Sequence, residues 1–256
     1  MASLVDYSTQ GAVALVRLNR PPVNALSGEL SADLTEAFQQ AADPQIRALV
    51  VTGQPHFAAG ADIKAFRAVH ETEGDQGLAR TLAETVGVLE RLEKPTIAAI
   101  HGYALGGGLE LSLGADFRFL AEDALLGQPE IKLGLIPGAG GTQRLARVVG
   151  FQAAKDIVFT GRQVSAEEAL RIGLADRIFP PDRLFEESMR AAAEMGTWPT
   201  RAIAAAKRAL AGGWGRPLEE GLGMEAAEFD VSFWTEDARE GVTAFLEKRA
   251  AIFRGR

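Results

Sequence analysis

The chain contains 256 residues, enough for one large domain or for a large domain with an appendage. Its formal net charge is −7 and its basic residues are interspersed with Asp and Glu, which argues against a nucleic-acid partner. No apolar run approaches the roughly 18 residues of a membrane span, so we expect no membrane segment. Cysteine is absent, which excludes disulfides, thiolate nucleophiles and Cys-ligated zinc.

The N-terminal stretch 1–10 lacks the features of a targeting signal. It has no basic region, no long apolar region and an early acidic residue, Asp6. We therefore expect a cytoplasmic protein, while noting that an organellar protein whose leader had been removed would look the same.

The first elements of the chain read as strand, helix, strand. The apolar runs 12–18 and 46–52 predict the two strands. Between them, apolar residues recur at helical spacing before the stop at Asp43-Pro44; they are Leu30, Leu34, Phe38 and Ala41.

The pattern then repeats. A second set of apolar residues at helical spacing precedes the break at Lys94-Pro95: Leu82, Val86, Leu89 and Leu92. The run 96–100 predicts another buried strand. Because parallel strands need long crossovers, this alternation predicts an α/β architecture with parallel pairing.

The end of the chain has a different pattern, which is helical almost without interruption from Phe185 onward. One apolar stripe near the C-terminus consists of Val242, Phe245, Leu246 and Ile252. We expect the last sixty or so residues to form an all-helical appendage.

Two glycine-rich segments each follow a predicted strand. The first is 57–64, and the second is 102–110, which opens an apolar helix. Glycine lets a backbone approach a ligand closely, and the free N–H groups at a helix start favour negative charge. Glu110 ends the second segment, and Glu130 follows twenty residues later, so two titratable carboxyl groups accompany the exposed backbone.

The sequence does not match the motifs of several other kinds of site. A dinucleotide fingerprint requires glycine where the chain has Leu111, or Gln143 if counted from Gly138. A nucleophile elbow around Ser112 would need glycine in place of Glu110. No Gly-Lys-Ser/Thr phosphate loop is present, and the three histidines show no metal spacing.

Three long motifs in order resemble the crotonase superfamily, and within it the enoyl-CoA hydratases. They are Phe57 to Lys64, Gly102 to Glu110, and Gly127 to Leu145. The resemblance extends from Leu18 to Arg249, which is nearly the whole chain.

The resemblance implies an α/β fold in which repeated ββα units form a spiral. It places the spiral core at residues 1–195 and a C-terminal helical oligomerisation region at 196–256. It also implies a homo-oligomer, either a trimer or a dimer of trimers.

The resemblance assigns the oxyanion hole to the backbone N–H groups of Ala61 and Gly107. Water addition to a 2-enoyl thioester places negative charge on the thioester oxygen. Each fixed donor aimed at such an oxygen is worth roughly 3–4 kcal/mol in the transition state.

The family's two carboxyl groups correspond to Glu110 and Glu130. By this resemblance Glu130 protonates C2 and Glu110 holds and activates the water, while Gly138 has a secondary role in holding that water. A proton shared between the two carboxyl groups would make them titrate as a unit. The sequence alone does not separate their roles.

Coenzyme A is expected as part of the substrate, with no permanently bound cofactor and no metal. The expected contacts lie in the first glycine-rich segment, at Gly107, and on a neighbouring subunit; they are Ala59, Gly60, Ala61, Asp62, Ile63, Lys64, Gly107, Phe245 and Lys248. The segment 20–26 departs from the family pattern because it lacks the usual spacer and basic residue, which leaves one phosphate contact open.

Simpler interpretations exist for individual residues, since a lone Glu or Lys on a helix is usually solvated and Phe245 could be ordinary packing. Two other functions also remain: another crotonase-fold enzyme such as an enoyl-CoA isomerase, and a non-catalytic acyl-CoA or RNA-binding protein. Retention of both carboxyl groups argues against the first, and the negative charge argues against RNA binding. The polar segment 68–79 is expected on the acyl side of the site, but it does not indicate the acyl chain length of the substrate. The pathway also stays open, between fatty acid β-oxidation and the breakdown of other acids.

Overall fold

The computed structural model describes residues 3–62 and 77–256. Its strands are β1 Val5–Gln10, β2 Val13–Leu18, β3 Ala48–Gly53, β4 Ala58–Ala59, β5 Thr96–Ile100, β6 Tyr103–Leu105, β7 Phe117–Ala121, β8 Leu125–Gly127, β9 Gln163–Ser165 and β10 Arg177–Phe179. Its described helices are α1 Gly28–Gln40, α2 Gly77–Glu90, α3 Gly107–Leu113, α4 Gly141–Val149, α5 Phe151–Thr160, α6 Ala166–Arg171, α7 Leu184–Met195, α8 Thr200–Gly213, α9 Leu218–Phe233 and α10 Glu236–Glu247. A 3-10 helix spans Pro129–Leu133.

Two sheets carry the fold. The larger has the order β1-β2-β3-β5-β7-β10, and the smaller has the order β4-β6-β8-β9. Strands β3, β5 and β7 each precede one strand of the smaller sheet, so each turn of the chain contributes to both sheets before a helical segment returns it. From β2 to β10 the pairing in the larger sheet is parallel. The expected spiral of repeated units is confirmed.

Strand β1 was not among the predicted strands. It pairs with β2 in antiparallel register, from Val5 opposite Leu18 to Gln10 opposite Val13. Most of its residues are polar and exposed or half-buried, because it lies at the edge of the sheet. An edge strand of this kind lacks the apolar run that identifies a buried strand.

Helix α1 forms one wall of the interior. Ser27 caps it, since its hydroxyl accepts the Leu30 N–H at 3.2 Å. The predicted apolar face at Leu30, Leu34 and Phe38 is fully buried. The Thr85 hydroxyl of α2 donates to the Ser31 carbonyl at 3.0 Å, which ties α1 to α2.

The helices after β10 divide into two groups. Helix α7 packs against the larger sheet, where Leu184 and Met189 join a cluster with Ile97 and Phe119. Helices α8 to α10 bury few apolar side chains in the single chain. The division at residues 195 and 196 falls at the end of α7, and as a domain boundary it stays a prediction.

The C-terminal stripe needs one correction. Helix α10 ends at Glu247, so Ile252 does not lie on the same helix as Val242, Phe245 and Leu246. All four side chains are more than half exposed in the single chain. Among the described residues, none covers these four side chains enough to bury them. Within residues 3–62 and 77–256, no helix is long and apolar enough to span a membrane.

Candidate active site

A cavity of about 420 Å³ lies between the smaller sheet, α1 and α2, and the segment that joins the 3-10 helix to α4. It combines glycine backbone, two carboxyl groups and apolar side chains. The lining includes Gly60, Ala61, Gly106, Gly107, Gly138, Glu110, Glu130, Leu26, Ala79, Leu82, Leu133, Leu135 and Ile136.

Ala61 contributes backbone to this cavity. It forms a parallel bridge with Leu26, in which the Leu26 N–H donates to the Gly60 carbonyl and the Asp62 N–H donates to the Leu26 carbonyl, both at 2.9 Å. In parallel pairing, the bonded groups belong to the residues on either side, so the N–H of Ala61 points away from Leu26. This orientation suits a donor that serves a ligand.

Gly107 begins α3 directly beside Ala61. An added Cβ at Gly107 would lie 4.0 Å from the Ala61 nitrogen and 2.8 Å from Leu82 Cδ2. The N–H groups of the first helical turn have no partner within the helix, so the helix does not use the Gly107 N–H as a donor. A side chain at Gly108 would overlap the Ala58 carbonyl oxygen, so glycine is what lets α3 approach β4 this closely.

Glu110 lies in the first turn of α3 and is only 3% exposed. Its Oε1 accepts two backbone N–H groups, from Ala139 and from Gly141, each at 2.7 Å. Burial raises the pKa of Glu110, while these two hydrogen bonds and the positive charge of Arg144 act to lower it. Two backbone donors therefore hold the Glu110 carboxyl group in place, in surroundings that disfavour its ionised form.

Glu130 lies in the 3-10 helix, on the same cavity. An added Cβ at Gly106 would lie 2.7 Å from Glu130 Oε1, which shows how closely the carboxyl group approaches the start of α3. The pKa of Glu130 is raised to about 7, mainly by burial and to a smaller extent by the charge of Glu110. A carboxyl group with such a pKa is able to exchange a proton near neutral pH.

The comparisons with known proteins agree over nearly the full length. The family model described as enoyl-CoA hydratase/isomerase matches residues 8–256. The chain is 44% identical over 254 residues to a probable enoyl-CoA hydratase of Rhizobium meliloti, covering 97% of this chain and 96% of that protein. It is 39% identical to a crotonyl-CoA hydratase of Syntrophomonas wolfei, covering 94% of each chain.

A solved structure gives the same result. The crystal structure of an enoyl-CoA hydratase from Bacillus anthracis superimposes with a TM-score of 0.93 at 37% identity, covering 99% of this chain and all of that one. The chain belongs to the enoyl-CoA hydratase/isomerase family. Its fold is therefore the crotonase fold that the sequence motifs predicted.

The residues predicted to contact coenzyme A fall into three groups in this family member. Ala59, Gly60, Ala61, Asp62 and Gly107 line the cavity. Ile63 and Lys64 lie outside the described residues. The described lining does not include Phe245 and Lys248, which lie at the end of α10 and were expected to reach the substrate from a neighbouring subunit.

The segment 20–26 is held in place by hydrogen bonds and an ion pair. The Arg20 guanidinium forms an ion pair with Asp62 at 2.6 Å and donates to the Ala25 carbonyl at 2.7 Å. The Asn24 side chain accepts the Arg20 N–H at 2.8 Å and donates to the His56 carbonyl at 2.8 Å. Arg20 is thus held against Asp62, which lines the cavity.

Several residues at the site received no role from the sequence. The amide nitrogen of Gln128, a fully buried residue, lies 3.0 and 3.1 Å from the two carboxylate oxygens of Glu130 in the orientation its neighbours favour. Ala139 and Gly141 donate hydrogen bonds to Glu110, whereas the sequence predicts a backbone role for Gly138, the residue before Ala139. Gln128, Ala139 and Gly141 all lie in the third motif, and the match of that motif is the sequence signal that points to them.

Proposed function

We propose that this protein is an enoyl-CoA hydratase that adds water, reversibly and in the syn sense, to a trans-2-enoyl-CoA to give a 3-hydroxyacyl-CoA. The proposal rests on one observation: two carboxyl groups, Glu110 and Glu130, line the cavity that the backbones of Ala61 and Gly107 border. The names of its relatives, which include a crotonyl-CoA hydratase, support the same reaction.

In the proposed mechanism, the N–H groups of Ala61 and Gly107 bind the thioester oxygen. When water attacks C3, electrons move from the double bond through C2 to this oxygen, and the two donors stabilise the enolate. Glu110 accepts a proton from the attacking water, and Glu130 gives its proton to C2 as the enolate collapses. The Gly138 backbone is a secondary contact for the water. No metal or permanently bound cofactor takes part in this mechanism.

Hydration is tested directly with a series of trans-2-enoyl-CoA substrates of increasing chain length, starting from crotonyl-CoA. We expect loss of the conjugated enoyl absorbance and formation of the 3-hydroxyacyl-CoA. The apolar lining at Leu26, Leu82 and Ile136 gives the acyl chain a place to bind. A protein that hydrates no member of the series would rule out the proposal.

The pH dependence of hydration follows from the two pKa values. Because Glu130 has to carry its proton, we expect kcat/KM to fall as pH rises through about 7, the pKa of Glu130. Because Glu110 has to be ionised, activity also falls towards acid pH, below the raised pKa of Glu110. Initial rates across this range should give a bell-shaped profile, and a flat profile across neutral pH would contradict the assignment.

An enoyl-CoA isomerase is the alternative within the family, whose description covers both reactions. An isomerase moves a proton from one carbon to another, for which one carboxyl group suffices. The buried second carboxyl group, held by two N–H donors, favours water addition. A 3-enoyl-CoA substrate that rearranged to the 2-enoyl form without hydration would favour the isomerase.

The substrate contacts and the assembly complete the proposal. We propose that residues 59–64 and Gly107 contact the coenzyme A thioester and that Phe245 and Lys248 reach it from a neighbouring subunit. The exposed apolar side chains of α8 to α10 suit a homotrimer or a dimer of trimers built on residues 196–256. Sedimentation as a monomer at all concentrations would rule out this assembly.

A further inference from the structure

The position of the Glu110 carboxyl group depends on one short loop. Its Oε1 accepts the N–H groups of Ala139 and Gly141, both at 2.7 Å. Ala139 lies in the loop between the 3-10 helix and α4, and Gly141 is the first residue of α4. Gly140, which separates them, has φ of +107°. Any change in the shape of this loop would therefore move or release the carboxyl group.

Arg144 holds this loop from the first turn of α4. Its Nη1 donates to the Ala139 carbonyl at 3.1 Å, and its backbone N–H donates to the Gly140 carbonyl at 2.8 Å. A Cβ at Gly140 would overlap Nη1, so the guanidinium lies directly against the loop backbone. The same peptide segment thus bonds Glu110 on one side and Arg144 on the other.

Glu90 fixes the guanidinium in turn. Arg144 Nε donates to Glu90 Oε1 at 3.2 Å and Nη2 donates to Oε2 at 2.6 Å, which is the two-pronged pairing of a carboxylate with arginine. Glu90 is about half exposed, so this pair contributes little to the free energy of folding. It does fix the direction in which the guanidinium points, because the fork is planar and rigid.

We propose that Arg144, held by Glu90, is a positioning residue that fixes the loop Ala139 to Gly141 and thereby orients the Glu110 carboxyl group for reaction. The proposal rests on the proposed function, in which Glu110 holds the water. Arg144 is not among the described residues that line the cavity. Its charge also lowers the pKa of Glu110, whose own charge in turn raises the pKa of Glu130.

The test compares Arg144→Gln with Arg147→Gln, which makes the same charge change on the same helix at an exposed residue. For Arg144→Gln we expect kcat for hydration to fall about 10- to 100-fold with KM little changed, since small misplacements of a reacting group carry such costs. The acid limb of the pH profile should move to higher pH, because Glu110 loses a favourable positive charge. Arg147→Gln should leave both unchanged.

Two further variants guard against a folding defect. Arg144→Lys keeps the positive charge but loses the two-pronged pairing with Glu90. The acid limb of the pH profile should therefore return towards that of the wild type, while kcat should recover only in part. Glu90→Gln removes the carboxylate that orients Arg144, so kcat should fall with KM little changed, at an unchanged melting temperature. Wild-type kcat and acid limb in folded Arg144→Gln would overturn the proposal, as would wild-type kcat in both Arg144→Lys and Glu90→Gln.

A failure of the proposed function would look different. If the wild-type protein hydrated no enoyl-CoA, the pKa of Glu110 would be measured by carbon-13 NMR of labelled glutamate, with the resonance assigned through Glu110→Gln. A higher pKa of Glu110 in Arg144→Gln than in Arg147→Gln would still support positioning. An equal pKa in the two variants would overturn it independently of the reaction.

Discussion

Replacing Glu110 by glutamine is expected to lower kcat for hydration by about 10²- to 10⁴-fold, the usual contribution of a positioned general acid or base. An amide does not accept a proton from water at neutral pH, so attack at C3 loses its base. The Gln side-chain oxygen can still accept the N–H groups of Ala139 and Gly141. We therefore expect the loop to stay in place and KM for the enoyl-CoA to change little.

The same variant should be at least as stable as the wild-type protein. Because the pKa of Glu110 is raised in the folded state, its ionised form is destabilising at pH values above its unfolded pKa. Glutamine removes that charge, so the melting temperature at neutral pH should not fall. Glu122→Gln, at an exposed position, is the matched control and should keep full activity. Near-normal kcat in Glu110→Gln would refute the role of this residue.

Four of the residues that the motifs predicted for the site do lie together, although their roles stay predictions. Ala61, Gly107, Glu110 and Glu130 come from three segments far apart in the chain, and all four line one cavity. Composition and periodicity alone predicted only an α/β fold with a helical C-terminal region. The spiral of repeated units was predicted from the resemblance of the long motifs. Periodicity could not have predicted it, because a strand such as β4, with two residues, is too short to give a periodic pattern.

The contacts that orient the site could not be predicted from the sequence, although several of the residues that make them lie in a recognised motif. Glu110 is held by Ala139 and Gly141, and Arg144 reaches back to the same loop while bonding Glu90 some fifty residues earlier in the chain. Such bonds depend on where the elements pack, whereas motifs record only which residues are near in sequence. The C-terminal stripe shows a similar limit, since apolar periodicity does not distinguish a core from a surface that a second copy covers.

Replacing Glu130 by glutamine is also expected to lower kcat by about 10²- to 10⁴-fold, for a different reason. Glutamine has no acidic proton to give to C2 at neutral pH, so the enolate held by Ala61 and Gly107 cannot collapse to product. With Glu130 gone, the alkaline fall in activity near pH 7 should disappear from the residual rate. Removal of a carboxyl group with a raised folded-state pKa should again leave stability at neutral pH no lower.

Proton exchange separates the two glutamates. A saturated acyl-CoA carries an exchangeable proton at C2 and has no double bond to hydrate, so its exchange in D₂O needs only the oxyanion donors and the group that serves C2. We expect exchange to persist in Glu110→Gln and to be lost in Glu130→Gln, measured by mass spectrometry of the recovered thioester. The reverse pattern would exchange the roles of the two residues, and loss in both would mean that the two carboxyl groups act on C2 as a single unit.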